Sequence, residues 1–289
     1  MNQTILLAIL ALGAIGIASA VILYFVAQKF KVIEDPRIDQ VSDQLPGANC
    51  GGCGYAGCRN FAEAIISKEG LEGMNCPVGG SSMMKQIAEE LGWKAEETTP
   101  MIAVVRCNGS LANAPKKVIY DGASSCSFAH ALYNGESGCP NGCLGLGDCV
   151  ESCQFNAMYM DMVTGLPVII EDKCVACVAC VKICPRRIIE MRKKGPKNRR
   201  IFVSCINTEK GAMSRKNCQV ACIGCGKCVK VCKFEAITLE NNLAYINFNS
   251  CTLCRKCVEE CPTNAIQEIN FAPRKPGQET EKAEVVVTQ

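Results

Sequence analysis

The sequence predicts an α+β fold class, in which one apolar N-terminal helix is followed by small Cys-rich modules of short helices and strands. Three observations support this prediction. Residues 4–27 contain no charged side chain, all 24 cysteines lie between Cys50 and Cys261, and most of them fall into closely spaced runs followed by short apolar stretches. With 289 residues, the chain is long enough for two or three modest domains.

The apolar N-terminal segment predicts a single membrane anchor. As a helix, its 24 residues would span about 36 Å, against about 30 Å for the hydrocarbon core of a bilayer. A cleaved signal peptide is the alternative, because residues 18–20 (Ala-Ser-Ala) resemble a cleavage site. Residues 1–3 carry no positive side chain, however, whereas Lys29 and Lys31 follow the apolar run. The positive-inside rule therefore predicts that the C-terminal bulk lies in the cytoplasm, where closely spaced cysteines indicate metal sites rather than disulfides.

Two cysteine runs near the C-terminus share the spacing C-x2-C-x2-C-x3-C, over residues 222–232 and 251–261. Bacterial two-cluster ferredoxins hold two [4Fe–4S] cubanes with this spacing, and the last cysteine of each run ligates the cluster of the other run. A zinc site would explain one such run but not two interlocked ones. The predicted ligands of cluster 4 are Cys222, Cys225, Cys228 and Cys261, and those of cluster 5 are Cys232, Cys251, Cys254 and Cys257. Short strands are expected at residues 234–239 and 265–269, as in a small α+β ferredoxin unit.

An internal repeat of this unit precedes it in the chain. Leu146 stands where the later copy has Cys225, so the repeat lacks one ligand. Cys139 lies four residues before Cys143, just as Cys218 lies four residues before Cys222, and this spacing offers Cys139 as the replacement. The predicted ligands are Cys139, Cys143, Cys149 and Cys184 for cluster 2, and Cys153, Cys174, Cys177 and Cys180 for cluster 3.

A Gly-rich module with the spacing C-x2-C-x4-C-x17-C lies between the anchor and the repeats. Its four thiolates form another tetrahedral set, and the glycines let backbone N–H groups turn towards cluster sulfurs. Zinc or an irregular Gly-rich loop are the alternatives. The predicted ligands of cluster 1 are Cys50, Cys53, Cys58 and Cys76. Helices are expected at residues 59–68 and 82–93, and strands at 101–105 and 118–120.

Four cysteines remain after five clusters, namely Cys107, Cys126, Cys205 and Cys218. Cys126 precedes Cys139 by 13 residues, and Cys205 precedes Cys218 by 13, so these pairs follow the repeat. Two interpretations stay open. The four thiols hold a sixth cubane, or they are free thiols buried as small hydrophobic groups.

Positive charge is concentrated at residues 186–200, between the two repeats, although the net charge of the chain is only +3. Such a run is commonly a solvated linker, but it could also contact anionic lipid or steer an acidic partner. We expect soluble ferredoxin to dock there. No aromatic residues interleave with the charges, so nucleic acid is not an expected partner. The basic residues are Arg186, Arg187, Arg192, Lys193, Lys194, Lys197, Arg199 and Arg200, beside one acid, Glu190.

The anchor, the Gly-rich module and the ferredoxin runs together resemble the B subunit of the Rnf-type ion-translocating electron-transport complexes. The resemblance covers nearly the whole chain, and residues 45–58 with Cys76-Pro77 are its most specific part. It implies a cytoplasmic iron–sulfur subunit that accepts electrons from ferredoxin and passes them to membrane-embedded partners. The complex would couple electron flow between ferredoxin and NAD to sodium or proton pumping. Shorter family members carry one ferredoxin unit, and this chain adds a second from about Cys205.

The expected domains are the anchor (1–30), the Gly-rich cluster module (31–97), a first ferredoxin-like unit with an N-terminal extension (98–200), a second unit (201–271) and a disordered tail (272–289). An alternative function is the iron–sulfur subunit of another dehydrogenase or a ferredoxin-domain maturation scaffold. The sequence contains no dinucleotide-binding glycine motif, no P-loop and no Ser/His/Asp arrangement. It therefore predicts an electron carrier without a catalytic residue of its own.

Overall fold

The computed structural model describes residues 3–29, 35–132 and 135–273. Helix α1 (Gln3–Lys29) comes first, and within it Ile9–Lys29 is long and apolar enough to cross a membrane. Its described side chains are exposed on every face, including Leu12, Ile17 and Phe25. A helix that is apolar all round and is not covered by its own chain has the length and composition of the predicted anchor.

A small helical module follows α1 and has a core of its own. Its helices are α2 (Pro36–Gln44), α3 (Cys58–Lys68) and α4 (Gly80–Leu91). The most deeply buried core side chains are Val41, Phe61, Ala62, Ile65 and Ile87. The carboxylate of Asp35 accepts a hydrogen bond from the backbone N–H of Arg37 and so caps the start of α2. Because Val41 lies in this core, α2 is part of the cluster module rather than a loose linker.

The first ferredoxin unit is closed by the pairing of its first strand with its last. Its elements are β1 (Met101–Val105), α5 (Cys126–Leu132), α6 (Asp148–Glu151), β2 (Met158–Asp161), β3 (Leu166–Ile169), α7 (Ala179–Ile183) and β4 (Ile189–Lys193). β2 and β3 form an antiparallel hairpin, with Met158 opposite Ile169. β1 runs antiparallel to β4, with Met101 opposite Lys193. The helices and loops that carry the cysteines lie between these two ribbons in the chain.

The second unit has the same plan. After a short 3-10 turn (Pro196–Asn198) come β5 (Arg200–Val203), α8 (Gly211–Asn217), α9 (Lys227–Val231), β6 (Ile237–Glu240), β7 (Leu243–Ile246), α10 (Lys256–Glu259) and β8 (Ile266–Ile269). β6 pairs with β7, and β5 pairs antiparallel with β8. The core is small and mixes thiols with aliphatic side chains, so that Ile201, Val203 and Ile246 pack with Cys228 and Cys257.

The predicted fold class is confirmed: the chain has an apolar N-terminal helix followed by iron–sulfur modules of mixed helix and strand. The strand expected at 101–105 is β1. The strand expected at 118–120 is wrong, because this stretch forms no element and Ile119 is 89% exposed. Three apolar residues without a partner strand cannot satisfy their backbone groups in a sheet. The domain boundaries remain predictions, and residues 274–289 of the expected tail lie outside the described residues.

The basic segment 186–200 differs from the expected exposed patch. It supplies β4, the 3-10 turn and the first residue of β5. Arg186, Arg192 and Arg200 are buried, with 8%, 1% and 4% exposure. Arg192 pairs with Glu190, and Arg200 pairs with Glu171. The prediction of one continuous docking patch is therefore wrong in extent, because three of its arginines are buried, one before β4, one in β4 and one at the start of β5. The exposed basic residues of the segment are Arg187, Lys193 and Lys197.

Candidate iron–sulfur cluster sites

Four cavities in the described part of the chain are lined by cysteine thiols. They contain about 320 to 420 Å³ of space between protein atoms, counting the part open to solvent. Among the described residues, no three Cys, His, Asp or Glu side chains converge closely enough to hold a single metal ion.

Two cavities belong to the second unit and bring together the predicted ligand sets. Site 4 is lined by Cys222, Cys225, Cys228 and Cys261. Site 5 is lined by Cys232, Cys251, Cys254 and Cys257. Each cavity combines the first three thiols of one run with the last thiol of the other, which is the arrangement that interlocked runs produce in two-cluster ferredoxins.

The third cavity, site 2, lies in the first unit and differs from the prediction in one thiol. Its thiols are those of Cys126, Cys143, Cys149 and Cys184. Cys126 is the first residue of α5, in the connection from β1 to the cysteine run, whereas α8 in the corresponding connection of the second unit carries no cysteine. The backbone N–H groups of Leu146 and Gly147 point to the Cys126 thiol. Cys126 therefore supplies a thiol beside Leu146, where the cysteine run itself has none.

The carboxylate of Asp148 fixes Cys126 at this site. It accepts hydrogen bonds from the backbone N–H groups of Cys126 (2.7 Å) and Ser127 (3.1 Å) and from the Ser125 hydroxyl (3.0 Å). Burial raises the pKa of the Asp148 carboxyl, but these hydrogen bonds outweigh burial and hold the pKa below its ordinary value. Because Asp148 precedes Cys149 in α6, it attaches the start of α5 to the loop that carries the other thiols.

The structure does not bring Cys139 to site 2, so the predicted ligand set is corrected to include Cys126 in its place. The shared 13-residue spacing of the pairs Cys126–Cys139 and Cys205–Cys218 is a coincidence. The structural counterpart of Cys205 is Cys107, because each lies two residues beyond the first strand of its unit. The longer connection from Cys107 to Cys139 holds α5 and thereby carries the extra thiol.

At site 3 the four predicted thiols lie close together, and at site 1 Cys50, Cys53 and Cys76 do, whereas Cys58 remains a predicted ligand. At site 3, burial and the thiols of Cys174 and Cys177 raise the pKa of Cys180 to about 12, with Cys153 also contributing. At site 1, burial raises the pKa of Cys76, and the thiols of Cys53 and Cys50 add to this effect. The fourth predicted thiol of site 1, Cys58, begins α3, and its backbone N–H donates to Asn49 Oδ1 at 2.8 Å.

The fourth cavity, which we call the inter-unit site, lies between the two ferredoxin units. It brings together the four thiols that sites 1–5 do not use, two from each unit. These thiols are those of Cys107, Cys139, Cys205 and Cys218, and Cys143 of site 2 also lines the cavity. The sequence had grouped Cys126 with three of these thiols, and the structure replaces Cys126 by Cys139.

Burial and neighbouring thiols both favour the protonated form of these cysteines. Burial raises the pKa of Cys205 to about 12 and that of Cys218 to about 11, and neighbouring thiols add to the shift. The same causes raise the pKa values of Cys149 and Cys257 to about 12. Desolvation and like charge both disfavour thiolates, so a set of buried thiols requires a cation before it ionises. Iron would supply that charge, and its binding would release the thiol protons, so the chemistry of these residues fits clusters held by four thiolates.

Two family models match the parts of the chain that form sites 1, 4 and 5. The FeS model, which describes an Fe–S cluster, matches residues 45–78, and the 4Fe-4S dicluster domain model matches residues 221–266. Together with the described sites, these matches define an iron–sulfur electron-transfer protein built on ferredoxin-like units.

Three relatives are similar along most of the chain. Identity is 40% with the B subunit of the Na(+)-translocating ferredoxin:NAD(+) oxidoreductase complex of Acetobacterium woodii, over 92% of this chain and 78% of that protein. It is 39% with the B subunit of the ion-translocating oxidoreductase complex of Methanosarcina acetivorans, over 92% of this chain and 99% of that protein. Identity is 38% with the B subunit of the proton-translocating ferredoxin:NAD(+) oxidoreductase complex of Clostridium ljungdahlii, over 92% of this chain and 93% of that protein.

The chain belongs to the family of B subunits of ion-translocating oxidoreductase complexes. This confirms the resemblance inferred from the sequence. Membership favours a membrane electron-transport complex over the alternative of another dehydrogenase subunit or a maturation scaffold.

The sequence predicted Cys139 at site 2 and Cys126 among the four remaining thiols, and the structure exchanges the two. One signal in the sequence could have shown this. Cys107 and Cys205 each follow an apolar, β-branched stretch by two residues, which marks them as equivalent positions. Spacing counted from the cysteine runs alone could not show that an insertion separates Cys107 from Cys139.

Proposed function

We propose that this chain takes single electrons from reduced ferredoxin and relays them to membrane-embedded subunits of an ion-translocating ferredoxin:NAD oxidoreductase. The names of two relatives supply ferredoxin and NAD(+) as the redox partners. Clusters bound at sites 1–5 would supply one-electron chemistry. Each transfer oxidises one ferredoxin by one electron and reduces the next carrier by the same electron, and no bond forms or breaks.

The observation that carries this proposal is that the sites form one row. Site 1 touches site 3, since a Cβ placed on Gly52 would lie 3.0 Å from Cys177 Cα. Site 3 adjoins site 2, because the Cys149 thiol contributes to the raised pKa of Cys180. Site 2 adjoins the inter-unit site, where the backbone N–H of Cys143 donates to Cys107 Sγ at 3.4 Å.

The row continues through the second unit. The backbone N–H of Cys222, a site 4 residue, donates to the Cys205 thiol of the inter-unit site. Site 4 adjoins site 5, because the thiol of Cys228, a site 4 residue, adds to the raised pKa of Cys257. The order is therefore site 1, site 3, site 2, inter-unit site, site 4 and site 5. Electron transfer between neighbours falls off with distance, so contact between consecutive loops favours transfer along this row.

Site 1 is the proposed exit to the membrane. Residues 30–35 separate α1 from α2, and a stretch of this length reaches at most about 20 Å when fully extended. Because α2 packs in the same core as α3, which begins at Cys58, this short reach keeps site 1 near the end of the anchor. Lys29 at the end of α1 supports an orientation with the cluster domains in the cytoplasm.

Site 5 is the proposed entry. Of the 24 cysteines, Cys225 and Cys254 are the exposed ones, and Cys254 belongs to the last site of the row. Lys256 lines site 5, and a Cβ placed on Gly195 would lie 3.0 Å from Leu253 Cδ1, so the turn that carries Lys197 lies beside Cys254. Ferredoxins are typically acidic, and we assign their docking to a basic edge, the site-5 edge, formed by Lys193, Lys197 and Lys256.

The test is a Cys53→Ala variant in the intact complex. Reduced ferredoxin should still reduce clusters in the ferredoxin units, while reduction of the membrane-embedded subunits slows strongly and iron falls by about four atoms per chain. Asn60→Ala, an exposed position on α3 in the same module, serves as the control. A Cys53→Ala complex that lacks one cluster but reduces its membrane partners at the parent rate would refute site 1 as the exit.

A further inference from the structure

The four thiols of the inter-unit site form a binding site that belongs to neither ferredoxin unit alone. We propose that Cys107, Cys139, Cys205 and Cys218 hold a sixth [4Fe–4S] cluster, which connects the two units electronically. Its role in the electron route rests on the proposed function, whereas its presence as an iron site does not. On assembly, the four thiols lose their protons and bind four iron ions, and four sulfide ions complete the cubane.

The two units contribute equivalent pairs of thiols. Cys107 and Cys205 each lie two residues beyond the first strand of their unit, after β1 and β5. Cys139 and Cys218 each lie four residues before the first cysteine of the next run. A Cβ placed on Gly109 would lie 3.5 Å from Cys107 Sγ and 3.7 Å from Cys218 Sγ, so thiols of different units converge on one point. The repeat thus forms a pseudo-twofold tetrad at its own interface.

Each thiol of the tetrad is faced by the backbone N–H two residues further along the chain. The donors are Gly109 for Cys107, Asn141 for Cys139, Asn207 for Cys205 and Val220 for Cys218. The same arrangement occurs at ligands of the other sites, where Ala179 faces Cys177 and Leu253 faces Cys251. Such N–H groups stabilise a thiolate or a cluster sulfur rather than a neutral thiol. Free core thiols would not need four of them.

Two buried side chains near the tetrad have polar atoms without a hydrogen-bond partner among the described residues. Ser204, which is 1% exposed, lines the cavity, and its hydroxyl makes no hydrogen bond. Arg186, which is 8% exposed, donates from Nη1 to the carbonyl oxygen of Cys139 at 3.2 Å, while its Nε and Nη2 atoms have no partner. A buried guanidinium without a counter-charge is costly. A cluster bound by thiolates at the inter-unit site would be anionic and would lie beside the Ser204 hydroxyl. Arg186, which lines site 2, is close to thiols of both sites and would balance the charge of a cluster at either.

The inter-unit site also lies between site 2 of the first unit and site 4 of the second unit. Cys143 of site 2 and Cys222 of site 4 each donate a backbone N–H to a thiol of the tetrad, Cys107 and Cys205 respectively. Without a cluster here, sites 2 and 4 would be separated by the full width of the cavity. The two ferredoxin units would then exchange electrons slowly.

Native mass spectrometry of the anaerobically purified full-length chain counts the clusters without any substitution. We expect six cubanes and about 24 iron atoms per chain, four for each cluster. Five cubanes in the fully loaded parent would overturn the proposal. Because this count needs no substitution, it tests the proposal even where a cysteine variant fails to fold.

Paired substitutions then test which thiols share one cluster. Cys107→Ser/Cys205→Ser should lose about four iron atoms, because both thiols hold the same cluster, whereas Cys126→Ser/Cys205→Ser should lose about eight. Ile206→Val, at a residue that lines the same cavity without a thiol, should keep the parent content. A loss of about four in the Cys126→Ser/Cys205→Ser chain would place Cys126 in the sixth cluster and refute the tetrad.

A kinetic measurement separates this proposal from the proposed function. In the Cys107→Ser/Cys205→Ser chain, reduced ferredoxin should reduce sites 4 and 5 rapidly, and the fast reduction of sites 1–3 should be lost. Unchanged reduction of sites 1–3 would refute the bridging role while leaving the iron count standing. If ferredoxin reduces no site even in the parent, the proposed function fails, but the count of six still supports the sixth cluster.

Discussion

At the scale of single residues, Asp148 decides which thiol completes site 2. Its carboxylate holds the N-terminal end of α5, and Cys126 with it, through the bonds to Cys126, Ser127 and Ser125. Its pKa lies below the ordinary value of 3.8, so the carboxylate is ionised at neutral pH. The stabilisation is present above the ordinary pKa and is lost as the pH falls through the folded-state pKa.

Asp148→Ala should therefore weaken the attachment of site 2. Without the carboxylate, four donors lose their acceptor, namely the backbone N–H groups of Cys126 and Ser127 and the hydroxyls of Ser125 and Ser127, and Cys126 is no longer fixed beside Leu146. We expect the iron content of the anaerobically purified chain to fall by up to about four atoms. The electron paramagnetic resonance signals of the clusters at sites 4 and 5 should be unchanged. Ser127→Ala is the control, because it keeps the backbone N–H donor. An Asp148→Ala chain with full iron content would show that Cys126 is held in another way.

At the scale of elements, strand β4 joins the two units through buried charge. The Arg192 guanidinium pairs with Glu190 and lies 5.3 Å from the ring centre of Tyr245 in the second unit. Arg106 also pairs with Glu190, at 3.1 Å, and donates to the carbonyl oxygen of Val203. One carboxylate thus compensates two arginines at the interface, and the aromatic ring adds cation–π attraction.

Glu190→Gln should destabilise this interface by about 3 kcal/mol, at the lower end for a buried ion pair because Glu190 keeps some solvent contact. The midpoint of guanidinium-induced loss of cluster absorbance should move to lower denaturant. Glu97→Gln removes the exposed partner of Lys85 and should leave the midpoint nearly unchanged. Equal midpoints for the parent and Glu190→Gln would show that the pair contributes nothing net.

The loops of sites 1 and 3 can approach each other because Gly52 carries no Cβ atom. A Cβ at Gly52 would lie 2.8 Å from Pro77 Cγ and about 3 Å from two backbone atoms of Cys177. Backbone cannot move away as a flexible side chain can, so the loops must separate.

Gly52→Ala should slow electron transfer between sites 3 and 1 without removing iron. Rapid-freeze spectroscopy of the complex would show site 1 reduced later than in the parent. Gly70→Ala is the matched control in the same module, because its Cβ would meet nothing closer than 3.8 Å. Parent kinetics in Gly52→Ala would argue against direct contact between these two loops in the complex.

At the scale of the whole molecule, the site-5 edge should control the encounter with ferredoxin. Lys193, Lys197 and Lys256 are exposed, whereas Arg192, in the same segment, is buried and belongs to the interface. Replacing the three lysines by Gln should lower the second-order rate of ferredoxin oxidation about tenfold at low salt and flatten its salt dependence, because exposed charges are screened beyond about 10 Å at 0.1 M.

A triple variant at Lys68, Lys94 and Lys216, which are exposed elsewhere, carries the same change in net charge. It should keep a rate close to that of the parent, and both variants should keep full iron content. If the two triple variants slowed equally, the net charge of the chain rather than the site-5 edge would guide ferredoxin.

The spacing of residues within short segments of the sequence was enough to predict the fold class and most of the cluster sites. The apolar segment 4–27, the interlocked runs of residues 222–261 and the Gly-rich set from Cys50 to Cys76 predicted the fold class and the thiols that surround sites 1, 3, 4 and 5. These features are legible because three ligands of a cubane come from one short loop, so that sequence distance and spatial distance agree. The family resemblance rested on the same runs and is confirmed by relatives of about 40% identity.

Tertiary structure alone decided the rest, wherever a site or a surface is assembled from distant segments. The thiols of site 2 and of the inter-unit site come from α5, from the loops after β1 and β5, and from both units, and an insertion had shifted their spacing. The charge at 186–200 likewise divides into buried Arg186, Arg192 and Arg200 and exposed Arg187, Lys193 and Lys197. The packing of the two units around β4 and β5 and the turns that flank them sets that division, and sequence distance carries no record of which segments pack together.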